Sequence, residues 1–476
     1  MVFASPVFLF LFLPATLVAY WVFPGRFRKA VLLVASLVFY AWGESRYVPL
    51  IVGSIAFNWW IGIGIADAAD ARSRKRRAVA GVAGNLLVLA LFKYANFAVA
   101  NLNAIAPVLS VAPISVATIP LPLGISFFTF HAISYIVDVF KRTASAQRGV
   151  AEFALYILLF PQLIAGPIIR YRDIAAQLHA PQPSVSEFAY GTRRFILGLG
   201  KKLLIANTLG RTADDIFALP GAELSAPVAW LGLVCYALQI YFDFSGYSDM
   251  AIGLMRMFGF RILENFNYPY IAASVREFWR RWHISLSNWF RDYLYVPLGG
   301  NRKGAARAYA NLVVVFVLCG LWHGASWTFV LWGAWHGVFL VLERAFLGRT
   351  LERRRWAAHA YTIGVVLGAW VLFRCNSLAQ AADYYMALAG LSGADATRYP
   401  VGRYLDGLLV TTLIVATIFA MPVGRQAATR FDRALQRSRA AVAAITAESA
   451  WLALVFVASA ATLAAGTYNP FIYFRF

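Results

Sequence analysis

The sequence predicts an all-α polytopic membrane protein, with about 11 transmembrane helices and re-entrant or interfacial helices between them. Three observations carry this. Of the 476 residues, 61% are hydrophobic and 14% are charged, against about 25% charged in ordinary soluble domains. The 15 Trp, 23 Tyr and 37 Phe bring more apolar area than a soluble surface hides, and a chain with so much to bury is not disordered. The formal net charge is +21 and coincides with long apolar runs, so basic cytoplasmic loops explain it better than a nucleic-acid surface, and no nucleic-acid partner is expected.

A bilayer core takes about 20 apolar residues per helix. The candidate spans are 6–23, 30–43, 47–66, 78–93, 112–139, 152–169, 190–208, 228–250, 309–323, 326–343, 357–373, 404–421 and 449–466. Some are too short or too polar to cross alone, hence the expectation of re-entrant segments. The first run lacks a basic n-region and a small-residue cleavage site, so it reads as a first transmembrane helix rather than a removed signal peptide.

Three basic clusters orient the chain: Arg72, Arg74, Lys75, Arg76 and Arg77; Arg344, Arg349, Arg353, Arg354 and Arg355; and Arg425, Arg430, Arg433, Arg437 and Arg439. With all three cytoplasmic, both termini fall outside. An odd number of crossings forbids that, so either the total differs from 11 or one segment between 94 and 323 is re-entrant. The three cysteines, Cys235, Cys319 and Cys375, show neither a disulfide framework nor zinc-ligand spacing, and no metal is expected. No linker, repeat or second composition regime interrupts the chain, so residues 1–476 read as a single membrane domain.

Segment 259–307 is too polar to span and too aromatic for a plain loop. Ser274-Val275-Arg276-Glu277 has the form of a capping box, so a helix should begin at Ser274. It would carry Trp279, Trp282 and Trp289 together with Arg276, Arg280, Arg281 and Arg291. One reading is an interfacial amphipathic helix without a chemical role. The other is a cytoplasmic vestibule for a phosphorylated donor, since the arginine fork binds two phosphate oxygens at once. Gly299-Gly300-Asn301-Arg302-Lys303-Gly304 is no Walker loop and reads first as a turn, although its basic residues suit phosphate.

Three of the six histidines, His283, His323 and His336, fall between 283 and 336. The last two lie inside strongly apolar stretches, where an ionisable side chain marks function by default. A buried imidazole can take a proton from a hydroxyl, and a satisfied core histidine is the plain alternative. No GxSxG elbow supports a hydrolase triad. Asp243 and Asp249 could orient a histidine or a substrate hydroxyl, or pair with Arg256, Arg261 or Arg280 as structural ions.

These residues sit in recognisable motifs. YFDFSGYSDMAIGLMRMFGF (241–260), EFWRRWHISLSNWFRDYLYVPLGGNR (277–302), LCGLWHGASWTFVLWGAWHG (318–337) and FIYFRF (471–476) resemble the membrane-bound O-acyltransferase superfamily, in particular its bacterial alginate O-acetyltransferase branch. FLFLFLPATLVAYWVFP near the start, LFKYANF (91–97), PLGISFFTFHAISYIVDVF (122–140) and LFPQLIAGPIIRY (159–171) extend the resemblance over most of the chain. It implies a bowl of transmembrane helices around a tunnel, in a bacterial inner membrane. The donor, acetyl-CoA, would enter from the cytoplasm, and the acceptor, an exported polysaccharide or peptidoglycan, from outside. The resemblance places the catalytic histidine on His323 and a second family histidine on His283, with His336 in support. It also implies a periplasmic partner of the SGNH-hydrolase-like type.

In that setting His323 would be the general base, a role typically worth about 10²–10⁴-fold, and Trp322 or Asn288 would help stabilise the oxyanion. Arg276, Arg280, Arg281, Arg302 and Lys303 would bind the donor. The tail 470–476 would lie outside, with Tyr473 as a covalent acyl relay or an interfacial aromatic anchor. Other acceptors are open under this reading: a lipid, a protein, or teichoic acid by D-alanyl transfer. A transporter using histidines as proton relays is a further alternative, but no inverted repeat supports it.

Overall fold

The structure, a computed structural model, describes residues 1–423, 441–466 and 468–470. Every regular element among them is a helix, as expected of spanning segments that must satisfy their own backbone hydrogen bonds. Among the described residues, seven helical stretches have the length and apolarity to cross a bilayer: Gly25–Ala66, Ala71–Ile105, Ala226–Met257, Ala305–His323, Trp327–Arg353, Arg355–Arg374 and Val442–Ala464. Phe8–Val22, Ile125–Phe140 and Gly407–Phe419 are shorter apolar helices. The basic cluster from Arg425 to Arg439, and Tyr473 with the rest of FIYFRF, lie outside the described residues.

The chain divides into two compact units, Met1–Thr192 with Ala251–Leu263, and Arg193–Met250 with Glu264–Phe476. In the first unit a π-helical turn, Phe8–Phe12, leads into α1 (Leu13–Val22). α2 (Arg28–Glu44) and α3 (Val48–Ala66) are separated where Glu44 leaves helical geometry, at φ −141° and ψ 42°. α4 (Ala71–Ile105) starts at Asp70, whose carboxylate accepts from the Arg72 and Ser73 amides, the N-cap arrangement that satisfies orphan donors. Between α3 and α4 the buried amides of Asn58 and Asn85 bond each other, at 2.6 Å from Asn85 Nδ2 and 3.2 Å from Asn58 Nδ2, a polar clasp typical of membrane helices. Phe3, Phe8, Phe12, Phe39 and Phe160 form one aromatic cluster, with ring centroids as close as 4.9 Å.

The expected span 112–139 becomes helical only at α5 (Ile125–Phe140). Pro113, Pro120 and Pro122 have no amide proton to donate, and Gly124 sits at φ 74°, so 111–122 is irregular. The span expected at 152–169 is cut in the same way. α6 (Val150–Leu158) ends at Leu159, and α7 (Phe160–Leu163) restarts with Pro161 in its first turn. α8 (Tyr171–His179) and the first half of α9 (Val185–Gly200) complete the unit.

In the second unit α9 continues into a π-helical turn, Lys201–Ala206, and α10 (Asn207–Phe217). α9 lies close against α11 (Ala226–Met257), because a Cβ on Gly198 would stand 2.6 Å from the Gly246 carbonyl oxygen. The polar middle segment contains no spanning helix. The single helix expected across Trp279, Trp289 and Arg291 is two short ones, α12 (Val275–Arg281) and α13 (Ile284–Phe290). They are separated because His283 takes a left-handed backbone, φ 45°, while the Ile284 and Ser285 amides bond Asn265 (2.9 and 3.1 Å) instead of a preceding helical turn.

α14 (Ala305–His323) and α15 (Trp327–Leu342) form a hairpin. Gly320 and Gly333 bring their backbones into contact: a Cβ on Gly320 would run into the Phe329 carbonyl, and one on Gly333 into the Phe316 carbonyl. α16 (Gly348–Arg353), α17 (Arg355–Arg374), α18 (Leu378–Leu388), α19 (Gly407–Phe419) and α20 (Ala441–Ala464) follow. α17 packs on α15 and α12, and Trp332 and Trp370 are among the largest fully buried side chains.

Candidate active site

His323 is the last residue of α14 and is buried. Its ring is enclosed by Trp322 (centroids 4.9 Å), Trp332 (5.1 Å) and Phe373 (5.2 Å), all near perpendicular. Trp332 in turn meets His336 at 5.1 Å. The α14–α15 hairpin therefore holds two of the three expected histidines against one indole, and the third joins them through Trp322, 6.2 Å from the His283 ring. Such an aromatic wall excludes water and strengthens every polar interaction inside it.

Two of these histidines have a proton position fixed by their neighbours. Trp279 Nε1–H, which can only donate, points at His336 Nδ1 at 3.3 Å. The neutral His336 ring then carries its own proton on Nε2. His283 is the opposite case. Its Nδ1 faces Asn265 Oδ1 at 3.2 Å, and the same oxygen accepts from the Ser285 amide (3.1 Å) and hydroxyl (2.9 Å). Burial pushes the His283 pKa down, to about 3, so the ring is neutral at pH 7.

The arginines of the middle segment lead to a cavity of about 1430 Å³, larger than the roughly 300–1000 Å³ of a drug-sized ligand site. Six arginines line it, Arg276, Arg281, Arg291, Arg344, Arg349 and Arg355, against the three glutamates Glu277, Glu343 and Glu352. Half of the expected capping box is present: Ser274 Oγ accepts from the Glu277 amide at 3.0 Å, while Glu277 reaches one residue past the cap, to the Ala273 amide at 2.9 Å. Burial raises the Glu277 pKa, but the Ala273 amide and Arg281 outweigh it, and the carboxyl stays below its ordinary value.

Glu343 takes the Val275 and Arg276 amides, 2.5 and 3.1 Å, so a carboxylate already occupies the positive end of α12. The cavity's surplus of positive charge lies on side chains. Asn301 of the Gly-rich turn accepts from Arg344 (2.7 Å) and Tyr295 (2.6 Å), which ties that turn to the arginine set. Of the expected donor-binding residues, Arg276 and Arg281 line the cavity, whereas Arg280, Arg302 and Lys303 are exposed and stand outside the lining.

Asp243 and Asp249 sit on α11 and face lysines of the π-helical turn. Lys202 pairs with Asp243 at 2.7 Å, both buried, and Lys201 with Asp249 at 2.6 Å, while Arg194 also reaches Asp249 at 2.7 Å. Arg256 and Arg261, considered above as their partners, pair instead with Glu187 (2.6 and 2.5 Å). Lys202 also donates to Asn207 Oδ1 (2.8 Å) and to the Pro470 carbonyl, and Asn207 Nδ2 to Asn469 Oδ1 (3.2 Å). The Tyr468 hydroxyl bonds Asp214, which Arg374 holds at 2.5 Å. The last residues before the terminal motif are thus docked on α10 and the π-helical turn. Asn288 is half-buried on α13. Among the described residues no group of three His, Cys, Asp or Glu could hold a metal ion.

Comparison with known proteins bears on what this arrangement serves. The model of the membrane-bound O-acyltransferase family matches residues 89–380. The probable alginate O-acetylase AlgI of Azotobacter vinelandii is 43% identical over the whole of both chains. The chain belongs to the membrane-bound O-acyltransferase family. The peptidoglycan O-acetyltransferase of Helicobacter pylori is 34% identical over 88% of this chain and 86% of that protein. The teichoic acid D-alanyltransferase of Bacillus subtilis is 29% identical over 43% of this chain and 54% of that protein. The protein is a multi-pass membrane O-acyltransferase of the alginate O-acetyltransferase-like branch.

In such an O-acyltransferase the sequence signals most easily misread are the arginines at 344–355. Their position after an apolar run marks them as a topology cluster, yet Arg344, Arg349 and Arg355 also line the cavity. The spacing along and just past α15 could have shown it: Leu340 and Glu343, four and seven residues beyond His336, both line the cavity. Asn265 carried no periodic signal, because its role lies in contacts 18–20 residues away.

Proposed function

We propose that this protein moves an acetyl group from acetyl-CoA to an exported polysaccharide of the alginate class, with His323 as general base. One observation carries the reading: the arginine-lined cavity and the buried histidines share α12 and α15. Trp279 on α12 touches His336, and Arg276 and Arg281 on the same helix line the cavity. From His336 on α15 to Glu343, the residue after its last turn, is seven residues, about 10 Å at 1.5 Å per residue. The nucleotide phosphates of the donor would rest on the arginines, and the pantetheine arm would carry the thioester toward the histidines through a tunnel.

The acceptor hydroxyl attacks the thioester carbonyl carbon as His323 takes its proton. The C–S bond then breaks, and the CoA thiolate leaves and is reprotonated. His336, with its proton on Nε2, and Trp322 or Asn288 are the candidate donors to the oxyanion. The FIYFRF tail follows the docked Pro470, and in a relay the attacking hydroxyl would be that of Tyr473, which would hold the acetyl group as an ester until a hydroxyl of a periplasmic SGNH-hydrolase-like partner attacks that ester and frees the tyrosine. The inner membrane of a bacterium is the compartment this division of labour requires. Full-length likeness to an alginate O-acetylase favours acetyl over D-alanyl transfer, for which the likeness covers 43% of the chain. Peptidoglycan as acceptor is the second reading, favoured by the Helicobacter pylori relative.

The test is acetyl transfer from radiolabelled acetyl-CoA by the protein in proteoliposomes, with mass spectrometry of envelope glycans from cells with and without it. His323→Ala should abolish transfer while the protein stays folded, and glycan acetylation should disappear with the gene. Full activity in that variant, or unchanged glycans, would overturn the assignment.

A further inference from the structure

His283 is fully buried and holds a left-handed backbone, φ 45°, a conformation that costs a non-glycine residue about 1–2 kcal/mol. Such strain persists only where surrounding contacts enforce it. Here they come from Asn265. Its carbonyl accepts the Ile284 amide at 2.9 Å, and its side-chain oxygen accepts the Ser285 amide at 3.1 Å. The second bond also fixes which end of the Asn265 amide is which: a backbone N–H must meet the oxygen, not the NH2 group.

That oxygen lies 3.2 Å from His283 Nδ1. Two lone pairs would repel, so Nδ1 carries the proton. The Ser285 hydroxyl does not reverse this, because its single proton goes to Asn265 at 2.9 Å while His283 Nδ1 is 3.4 Å away. The other ring nitrogen, Nε2, is buried and has no hydrogen-bond partner among the described residues. Leaving a buried polar atom unsatisfied costs about 1–3 kcal/mol, a cost that a bound substrate would relieve. The ring lies perpendicular to Phe244 (4.6 Å) and 6.2 Å from the tilted ring of Trp322, the neighbour of His323.

We propose that Asn265 is a positioning residue: it locks His283 in the Nδ1–H form, so that Nε2 serves as a hydrogen-bond acceptor that orients an O–H or N–H group of a substrate beside His323. The tautomer follows from the geometry alone, and its use in orienting substrate rests on the acyl-transfer reading above. The His283 ring accepts a hydrogen bond without taking the proton, which its low pKa opposes, and so complements His323 rather than duplicating it. The shared chemistry, a polar hydrogen offered to Nε2, exists both on the donor's pantetheine amides and on the acceptor's hydroxyls.

The experiment is ¹⁵N NMR of histidine-labelled full-length protein in nanodiscs at pH 7, with the His283 signals assigned by their loss in His283→Gln. The expected spectrum has a protonated Nδ1 and an unprotonated Nε2. Asn265→Asp should keep that form, since a carboxylate also accepts, and Asn265→Leu should release it into a mixture. Acetyl transfer should fall about 10–100-fold in Asn265→Leu, the range seen for partners that orient a metal-ligating histidine, and be largely rescued in Asn265→Asp. A raised KM for acetyl-CoA would identify a donor amide as the group held, and a loss dependent on acceptor concentration would identify an acceptor hydroxyl.

A wild-type spectrum with the proton on Nε2 would overturn the proposal, as would an unchanged tautomer in Asn265→Leu. If that variant does not fold, the wild-type spectrum still decides. None of these spectra depends on acetyl-CoA being the donor, so a failure of the proposed function is read separately, by His323→Ala.

Discussion

At the scale of single residues, the most consequential pair outside the histidines is Lys202 with Asp243, whose side chains are 4% and 1% exposed. Breaking a buried ion pair by removing one partner leaves an uncompensated charge and costs about 3–5 kcal/mol. Lys202→Met should therefore lower the thermal midpoint in detergent sharply, and Lys202→Met with Asp243→Leu should recover most of the loss, since apolar replacements of both partners are often neutral. A double variant no more stable than the single one would show that the pair is not the cause. Lys202 also holds the Pro470 carbonyl, so the single variant should loosen residues 468–470 and expose them to proteolysis.

The sequence marked both aspartates as out of place in an apolar run but gave the wrong partners. Lys202 and Arg194 lie 41 and 55 residues from their carboxylates, beyond any helical period. The burial of His323 could be read for the opposite reason, as an ionisable side chain in an apolar stretch needs no knowledge of its neighbours.

At the scale of elements, the α14–α15 hairpin sets the distance between the histidines and the indole of Trp332. That hairpin closes only because Gly320 and Gly333 lack side chains. Gly333→Val would press its Cβ onto the Phe316 backbone carbonyl, which cannot rotate away as a side-chain end can. Overpacking of this kind typically costs about 1–3 kcal/mol. Because it splays the two helices that bear His323 and His336, acetyl transfer should fall by more than the loss of stability explains. Gly364→Ala on α17 is the control, since nothing lies within 4 Å of its added Cβ. That change should leave transfer intact and stabilise the helix by up to about 1 kcal/mol. Equal effects of the two variants, measured as transfer per folded protein, would remove the hairpin's role.

Helices at this scale were mostly readable from apolar length, as α14, α15 and α17 were. The failures were local. Prolines at 113, 120 and 122 cut one expected span, and the contacts of Asn265 broke one expected helix into α12 and α13. In each case a backbone donor was missing or engaged elsewhere, which a count of apolar residues does not register.

At the scale of the whole molecule, the charge of +21 separates into functions that overlap on the same side chains. Arg344, Arg349 and Arg355 belong to a cluster that the sequence marks as a topology signal, and they also line the cavity with Arg276, Arg281 and Arg291. The overlap has a physical reason. Under the proposed function, a donor carrying phosphates would approach from the side where positive loops collect, so residues expected to hold a loop in the cytoplasm would also raise the local concentration of that donor. Charge–phosphate hydrogen bonds are worth about 1.5–3 kcal/mol each, so Arg349→Ala and Arg355→Ala should each raise the KM for acetyl-CoA by about 10–100-fold. Turnover at saturating donor should change little, because the reacting carbonyl is elsewhere. Arg353, on α16 but outside the lining, is the matched control, and Arg353→Ala should leave KM unchanged although it removes the same charge from the same cluster. High salt should raise the wild-type KM and affect the Arg349 and Arg355 variants less, since part of what salt screens has gone. A KM that rises equally in all three variants would mean that the cluster acts only as a diffuse field, and that the donor's phosphates are held by other residues.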